Sequence, residues 1–268
     1  MSIARRILCK TVKRYNEYRF NHVSWIKTYF YNLLWFGLSG LKTPYIYLFN
    51  DVHVVSYGKI IIEGPRTKGM ILLGNWKAKA HNSTRLMNYG TIIFKGPAEI
   101  QGGCILEIYG GTLEFGSYVK LAESCKVMCR KNILIHDYVS VGYETTFMDT
   151  DFHFVVNKEA TIYPNEKNVE IGKGSWVSSN CKIMKGVKLP NYSIVASNSL
   201  VLKDLSSFPE GSLFAGAPAV FIKEGVRRIV NRKQEAYLLS TFRNQPELEK
   251  ITAKIDDIDK FCFDNFFD

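Results

Sequence analysis

The sequence predicts an all-β core in which the chain winds as a parallel β-helix of hexapeptide coils, and three observations support this fold class. The first is a run of aliphatic residues at every sixth position. An α-helix repeats near every 3.6 residues and a strand every two, so a period of six indicates a turn every six residues. Three such segments close one triangular coil, and each points one aliphatic side chain inward. The run comprises Ile171, Val177, Ile183, Leu189, Val195 and Val201.

The second observation concerns the fourth residue after each of these aliphatic positions. It is small or apolar in most units, as a second inward position in a narrow prism requires. These residues are Ser175, Cys181, Val187, Ser193, Ser199 and Leu205.

The third observation is that the pattern continues upstream in a less regular form. The sequence IIIEGP at residues 60–65 is echoed by IIFKGP at residues 92–97. We therefore predict coils over residues 54–223. Each coil of such a stack buries its neighbour, so both ends need caps. Residues 1–53 and 224–268 lack the repeat, and we expect them to be helical appendages that are candidates for these caps. Further six-residue steps join Phe115, Leu121, Val127 and Ile133, and then Ile135, Val141 and Phe147.

The C-terminal segment is predicted to be helical. Its apolar residues recur at spacings of three and four, which is the pattern of a helix with one apolar face. They are Leu248, Ile251, Ile255, Ile258 and Phe261.

Three segments of the repeat carry a more specific signature. They are IGKGSWVSSNCKIMKGV at residues 171–187, SIVASNSLVLKD at 193–204 and AGAPA at 215–219. Together they resemble the C-terminal signature of the hexapeptide-repeat acyltransferases, and the resemblance covers roughly residues 115–223. It implies a left-handed parallel β-helix, a homotrimer with active sites between subunits, and acetyl-CoA as co-substrate. The left-handed winding rests on the resemblance alone, because connections between parallel strands are normally right-handed.

The six cysteines indicate a reducing compartment, which predicts a cytoplasmic protein. They show no CxxC pair, and the first 25 residues do not resemble a cleavable signal. Cys125 and Cys181 occupy inward repeat positions and are expected to act as small core residues. We predict no metal site, because neither Cys125 with Cys129 nor His136 with His153 has the further ligands that zinc requires.

The net charge of +10 is concentrated near the N-terminus. The aromatic segment WIKTYFYNLLWFGL at residues 25–38 is too short and too polar to span a bilayer but is able to lie on one. Two interpretations stay open: a peripheral contact with an anionic membrane surface, for instance the inner face of the plasma membrane, or a cap formed by residues 29–49 with solvated basic residues. Nucleic-acid binding is disfavoured because no recognition motif is present. Before Asn50 the basic residues are Arg5, Arg6, Lys10, Lys13, Arg14, Arg19, Lys27 and Lys42, against the acid Glu17.

Residues 149–169 do not fit the repeat and predict a loop, where reactive groups are often held by a rigid scaffold. The segment DTDFH at residues 149–153 resembles the active-site segment of the family, in which the histidine is the general base. This implies that His153 is the base, and an imidazole suits that task at neutral pH. Asp151 is expected to orient His153, because alternate residues of an extended segment share a face. Asp149 is the other candidate for that role, and Asp149 and Phe152 are candidates for acceptor contacts.

The resemblance also implies residues for acetyl-CoA binding. Trp176 and Ser179 match positions that line the pantetheine groove, and a backbone N–H near Ser178 or Ser179 is expected to act as the oxyanion donor. Ser197 and Lys203 match the segment that meets the pantetheine arm and the nucleotide phosphates. Lys223 is a second candidate for the phosphates, since positive charge suits a polyanionic ligand.

These observations predict an O-acetyltransferase that acts on a saccharide, such as a cell-surface polysaccharide or its precursor, by direct transfer. Two alternatives stay open. One is an acetyltransferase for another small acceptor, such as an amino-sugar nucleotide, serine or an antibiotic. The other is a non-catalytic β-helix scaffold, which would bind no acetyl-CoA.

Overall fold

A computed structural model of the chain describes residues 22–74, 83–253 and 255–263. Its described strands form three sheets, which are the faces of a triangular prism. In stacking order, the first sheet contains β1 (Ile46–Leu48), β4 (Ile71–Gly74), β7 (Ala98–Gln101), β10 (Val119–Leu121), β13 (Ser140–Val141), β16 (Trp176–Val177), β19 (Ile194–Val195), β21 (Leu213–Gly216) and β22 (Ala219–Lys223).

The second sheet contains β2 (Val52–Ser56), β5 (Thr84–Asn88), β8 (Ile105–Ile108), β11 (Lys126–Cys129), β14 (Thr146–Met148), β17 (Lys182–Ile183) and β20 (Leu200–Val201). The third contains β3 (Lys59–Ile62), β6 (Thr91–Phe94), β9 (Thr112–Phe115), β12 (Asn132–Ile135), β15 (Val169–Ile171) and β18 (Lys188–Leu189). We call the turns from the first to the second sheet the first corner, those from the second to the third the second corner, and those from the third to the first the third corner.

The predicted fold class, a parallel β-helix of hexapeptide coils, is confirmed. Inward aliphatic residues of successive coils lie directly opposite one another: Val177 pairs with Val195, and Ile183 pairs with Val201. All the aliphatic residues of the six-residue run are buried, and so are the small or apolar residues predicted at the second inward position. Cys125 and Cys181 are also buried, as predicted.

The echoed segments lie one above the other. Ile60 pairs with Ile92, and Ile62 pairs with Phe94, so the repeated sequence marks the same face of consecutive coils. The first coil nevertheless begins earlier than residue 54. Its first strand is β1, which begins at Ile46. The six-residue pattern does not reveal this short edge strand, because the hydrogen bonds that complete it come from a neighbouring helix.

That helix is α1 (Trp25–Lys42), which caps the first coil and has a non-helical residue at Gly37. Asn32 is fully buried, and its Oδ1 accepts from the backbone N–H groups of Tyr45 (2.8 Å) and Ile46 (3.1 Å). The Nδ2 of Asn32 donates to the C=O of Ile46 at 2.7 Å. The hydroxyl of Thr28 accepts from the N–H of Leu48 at 3.0 Å. These side chains take the place of the next strand and cover the edge of the first sheet. Within the described part of the chain, no helix has the length and hydrophobicity needed to cross a bilayer.

The C-terminal helix differs from the prediction. The structure has α2 (Arg232–Asn244) and α3 (Ile258–Phe263), and Leu248 and Ile251 lie outside any helix. The start of α2 is fixed by Asn231, whose side chain accepts from the N–H groups of Lys233 and Gln234. Pro246 follows the end of α2, where the helix is not able to continue. The apolar spacing predicted a helix from Leu248 onward, and that prediction is wrong for residues 248–253 and 255–257.

We predict that Asn32→Ala destabilises the cap. The substitution leaves two buried backbone N–H groups and one C=O without partners, at a cost of about 2–3 kcal/mol. For a domain of this size we expect the midpoint of thermal unfolding to fall by about 5–10 °C at fixed protein concentration. Ser39→Ala, which removes an exposed hydroxyl from the same helix, is the control and should leave the midpoint within about 1 °C. Equal midpoints for both variants would show that Asn32 does not stabilise the first coil.

Candidate active site

The predicted loop is present as an arm, residues 149–168, that leaves the second corner between β14 and β15. Thr150 bridges to Glu166 and Val156 bridges to Ile162, both antiparallel, so the arm runs out and returns as a narrow ribbon. At its tip, the side-chain oxygen of Asn157 accepts from the N–H of Thr161 at 2.8 Å. The arm is therefore ordered by its own hydrogen bonds while both its ends stay in the coil.

Asp149 anchors the base of this arm. Its side chain is fully buried, and its two carboxylate oxygens accept from the backbone N–H groups of Arg130 and Lys131, both at 2.8 Å. Burial raises the pKa of the Asp149 carboxyl, although these N–H groups and the Cys129 thiol act in the opposite direction. The Asp149 carboxyl group, which the sequence suggested for acceptor contacts or for orienting His153, is thus hydrogen-bonded to the preceding coil.

Lys185, in the coil that follows the arm, holds the arm from its other side. Its ammonium group forms an ion pair with Asp151 at 2.6 Å and donates to the C=O of Pro164 at 3.1 Å, so it bonds both the outgoing and the returning segment. Lys185 is not among the site residues predicted from the sequence. Lysine also occurs at other turns of this chain, and only the arm's return path distinguishes this one.

His153 is exposed on a tight turn near the base of the arm. Its N–H donates to the C=O of Asp151 at 2.7 Å across Phe152, which has a φ of 61°, a region that non-glycine residues rarely adopt. The N–H of Phe152 donates to the hydroxyl of Thr150 at 2.9 Å. Eight other non-glycine residues among those described also have a positive φ, so the conformation shapes this turn without marking it as functional.

The expected hydrogen bond between the Asp151 carboxylate and the His153 imidazole is absent from the described part of the chain. It was based on an extended segment, in which alternate residues share a face. The turn at Phe152 removes that geometry, and the Asp151 carboxylate bonds to Lys185 instead. Asp151 therefore fixes the segment that carries His153, and its carboxylate makes no hydrogen bond to the imidazole.

Phe152 lies against the body of the prism. Its ring meets Tyr109 edge to face at 6.0 Å, and the guanidinium of Arg130 lies 6.0 Å from its centroid. Arg130 is held in turn by Glu166 of the returning segment at 3.0 Å. The ring thereby closes the base of the arm and turns the backbone of His153 outward.

The outer part of the arm is apolar and exposed. A cavity of about 460 Å³ lies beside it, lined by residues of the returning segment together with Lys131 and Phe154. Exposed apolar side chains grouped in this way commonly mark a surface that contacts a ligand or another protein. They are Phe154, Val155, Val156, Ile162 and Tyr163.

Three of the residues expected to bind acetyl-CoA are stacked at the first corner. Ser178 and Ser179 turn the chain from β16 to β17, and Ser197 occupies the equivalent turn one coil further on. The N–H of Ser178 donates to the C=O of Val195 at 2.9 Å. For the N–H groups of Ser179 and Ser197, the described residues provide no hydrogen-bond acceptor. The turn containing the cis Ala217–Pro218 bond follows β21 at the same corner.

The remaining candidates lie elsewhere. Trp176 is half-buried in β16, and the guanidinium of Arg228 lies 5.0 Å from its ring centroid. Lys203 is exposed at the second corner, and Lys223 is exposed at the end of β22. The contact with Arg228 was not expected, because nothing in the repeat indicates that the C-terminal segment returns along the first sheet.

Within one chain, the structure therefore does not bring all the candidate residues together. His153 belongs to the second corner, and the serine turns belong to the first, with a strand of the second sheet between the two corners. Among the described residues, no group of three or more His, Cys, Asp or Glu side chains could hold a metal ion. The ring nitrogen Nε2 of His136 instead lies 3.0 Å from the Glu170 carboxylate.

No protein-family model matches the chain. Among solved structures, the polysialic-acid-specific acetyltransferase NeuO is similar, with 20% sequence identity over 76% of this chain and 95% of its own, and a TM-score of 0.46. AntD, an N-acyltransferase from Bacillus cereus solved with dTDP and 3-hydroxybutyryl-CoA, shows 15% identity over 76% of this chain and 89% of its own, with a TM-score of 0.43. A hexapeptide-repeat-containing acetyltransferase from Vibrio cholerae, solved with acetyl-CoA, shows 18% identity over 65% of this chain and 70% of its own, with a TM-score of 0.28.

We predict that Lys185→Met loosens the arm. Loss of a partly exposed ion pair and one hydrogen bond should speed amide hydrogen exchange in residues 150–165 by about threefold to fivefold. Lys188→Met, at an exposed position of β18, is the matched control. Unchanged exchange in the arm of Lys185→Met would show that Lys185 does not hold it.

Proposed function

We propose that this chain is an acetyltransferase that moves an acetyl group from acetyl-CoA to a hydroxyl group of a saccharide, with His153 as the general base. The observation that carries the proposal is the arm. It interrupts the repeat at the one segment with the sequence DTDFH, and hydrogen bonds from the preceding coil and an ion pair from the following coil fix its base. A cell-surface polysaccharide or its precursor is the proposed acceptor class, on the basis of the sequence resemblance.

The chemistry requires a proton to move in two steps. As the acceptor oxygen attacks the thioester carbonyl, His153 takes the hydroxyl proton and a C–O bond forms. The tetrahedral intermediate then collapses, the C–S bond breaks, and the imidazolium returns the proton to the departing CoA sulfur. A base positioned in this way typically contributes about 10²- to 10⁴-fold to the rate. In this proposal, Asp149 and Asp151 are positioning residues that hold the turn carrying the imidazole.

Direct transfer to the acceptor is favoured over an acyl-cysteine intermediate. The described cysteines are free and buried, whereas a nucleophilic thiol needs access and a lowered pKa. The Cys129 thiol, which donates to the C=O of Thr112 at 3.4 Å, lies near the base of the arm, and burial together with the nearby Asp149 carboxylate raises its pKa. Free, buried cysteines also suit the reducing cytoplasm, which is the proposed location.

The first corner is the proposed site for acetyl-CoA. Ser179 and Ser197 present backbone N–H groups on consecutive coils, a spacing that suits amide oxygens along an extended pantetheine arm. Since the N–H of Ser178 is already bonded, Ser179 is the better candidate for the oxyanion donor. Ser178 belongs to the same corner and Trp176 lies in the adjoining strand β16, and the ammonium groups of Lys203 and Lys223 are the proposed partners of the nucleotide phosphates.

We further propose that the active site forms between subunits of a homotrimer. His153 and the serine turns occupy different corners of one prism, so the arm of one chain would meet the first corner of its neighbour. The exposed apolar side chains of the arm support such a contact, because association would bury them. The acceptor would then lie between Phe152, the arm and the neighbouring first corner.

We predict that His153→Ala lowers acceptor-dependent release of CoA by at least about 10²-fold. The assay follows the free thiol with acetyl-CoA and a panel of oligosaccharides, nucleotide sugars and small hydroxyl or amine acceptors. His136→Ala is the matched control, because His136 is a partly exposed histidine at another corner, and it should retain most of the activity.

The same assay separates the alternatives. Equal turnover by wild type and His153→Ala would remove His153 from the mechanism. Turnover limited to amino-sugar nucleotides, serine or an antibiotic would replace the acceptor class. No turnover, together with no acetyl-CoA binding by calorimetry, would favour a scaffold.

Mixed assemblies test the location of the site. Ser197→Trp places a bulky side chain in the exposed turn of the first corner. We predict that this variant and His153→Ala are each nearly inactive alone but recover activity when they are co-assembled. In random trimers, about a quarter of the sites would combine an intact histidine with an intact groove from the neighbour. Mixed trimers with no recovered activity would place both parts of the site in the same chain.

A further inference from the structure

We infer that the outward face of α1 docks on an anionic membrane surface. Over the part of this helix before the non-helical Gly37, a stripe of large apolar side chains recurs at steps of three and four residues and points away from the prism. Ile26 is 86% exposed, Phe30 59% and Leu34 61%, and Leu33 belongs to the same stripe, while Leu38 (77% exposed) and Leu41 are open to solvent beyond Gly37. A soluble monomer rarely leaves so continuous an apolar surface open to water.

The orientation of the helix is fixed by its opposite face. Asn32 and Thr28 bond to the backbone of β1, as described above. The ammonium group of Lys27 donates to the C=O groups of Asn50 (2.9 Å) and Val52 (2.8 Å), at the start of β2. The hydroxyl of Tyr31 lies 3.4 Å from the C=O of Val54. Turning the apolar stripe inward would break these bonds and leave buried backbone groups without partners.

The same hydrogen bonds determine the orientation in which α1 would contact a membrane. Because one side of α1 is attached to the first coil along the helix, only the other side is available to lipid. The helix would therefore lie in the plane of the interface, with its apolar side chains entering the boundary between headgroups and acyl chains. Both interpretations left open by the sequence are then satisfied together, since one helix caps the coil and offers its outer face to lipid.

The excess of basic residues around α1 indicates which kind of membrane surface the helix would bind. In the described segment around the cap, residues 22–74 carry Lys42, Lys59, Arg66 and Lys68, besides Lys27 on the attached face, against Asp51 and Glu63. The sequence before this segment adds six basic residues and one acid, Glu17. A basic environment beside an apolar stripe favours anionic lipid headgroups over zwitterionic ones. A neutral or basic protein surface would be an equally apolar partner but would not account for this excess of positive charge.

The test is sedimentation of the full chain with vesicles of phosphatidylcholine alone and of phosphatidylcholine with phosphatidylglycerol. We expect binding to the anionic vesicles and at least tenfold weaker binding for Phe30→Ser/Leu34→Ser/Leu38→Ser. The control variant, Tyr237→Ser/Leu239→Ser/Ile255→Ser, removes three exposed apolar side chains at the other end of the chain and should bind as the wild type does. All three α1 positions are exposed, so the unfolding midpoint should not change.

Three results would overturn the inference. They are no sedimentation of the wild type with anionic vesicles, equal sedimentation of the α1 variant, and a smaller assembled mass of the α1 variant by light scattering. The last result would mean that a second copy of the chain covers the stripe. Membrane docking does not depend on the proposed reaction. Transfer to a soluble acceptor by the α1 variant should match the wild type, which keeps the two proposals separable.

Discussion

Parallel pairing between successive coils is the constraint on which the rest of the structure depends. Each inward residue contacts its counterpart one coil away, as Val177 contacts Val195 and Ile183 contacts Val201. A slip of one residue would turn the whole inward set toward solvent, so burial fixes the register strongly. The corners consequently stack in columns, and residues far apart in sequence acquire fixed neighbours. This is why two serine turns lie in line and why the arm has a rigid base.

The arm shows how an irregular segment is held by a regular one. Its anchors are supplied by coils on both sides: backbone N–H groups of Arg130 and Lys131 bond to Asp149, and Lys185 bonds to Asp151. None of these groups needs to react. They hold the tight turn at Phe152 in place within a stable stack, and that turn gives His153 its outward position.

The sequence was informative wherever burial repeats. The six-residue step identified the inward positions, and the echo at residues 60–65 and 92–97 identified paired strands, because both are imposed by the same core. It was silent where structure depends on single contacts. The strand at Ile46 is completed by hydrogen bonds from Asn32, and Asp151 is paired with Lys185. Neither contact recurs along the sequence, so no repeat pattern predicts it. In the C-terminal segment, the capping residue Asn231 and the break at Pro246 were the better signals, whereas apolar spacing alone was misleading.

The stack also acts as a spacer of defined length. The cap helix covers the first coil, while the arm leaves the fifth strand of the second sheet. Neighbouring strands are about 4.8 Å apart, so four steps place the base of the arm about 20 Å from the capped end. Adding or removing whole coils between these points would change that height in increments of about 5 Å without altering any group at either end. The number of coils is thus a variable that evolution or design can use to set the reach of the arm independently of its chemistry.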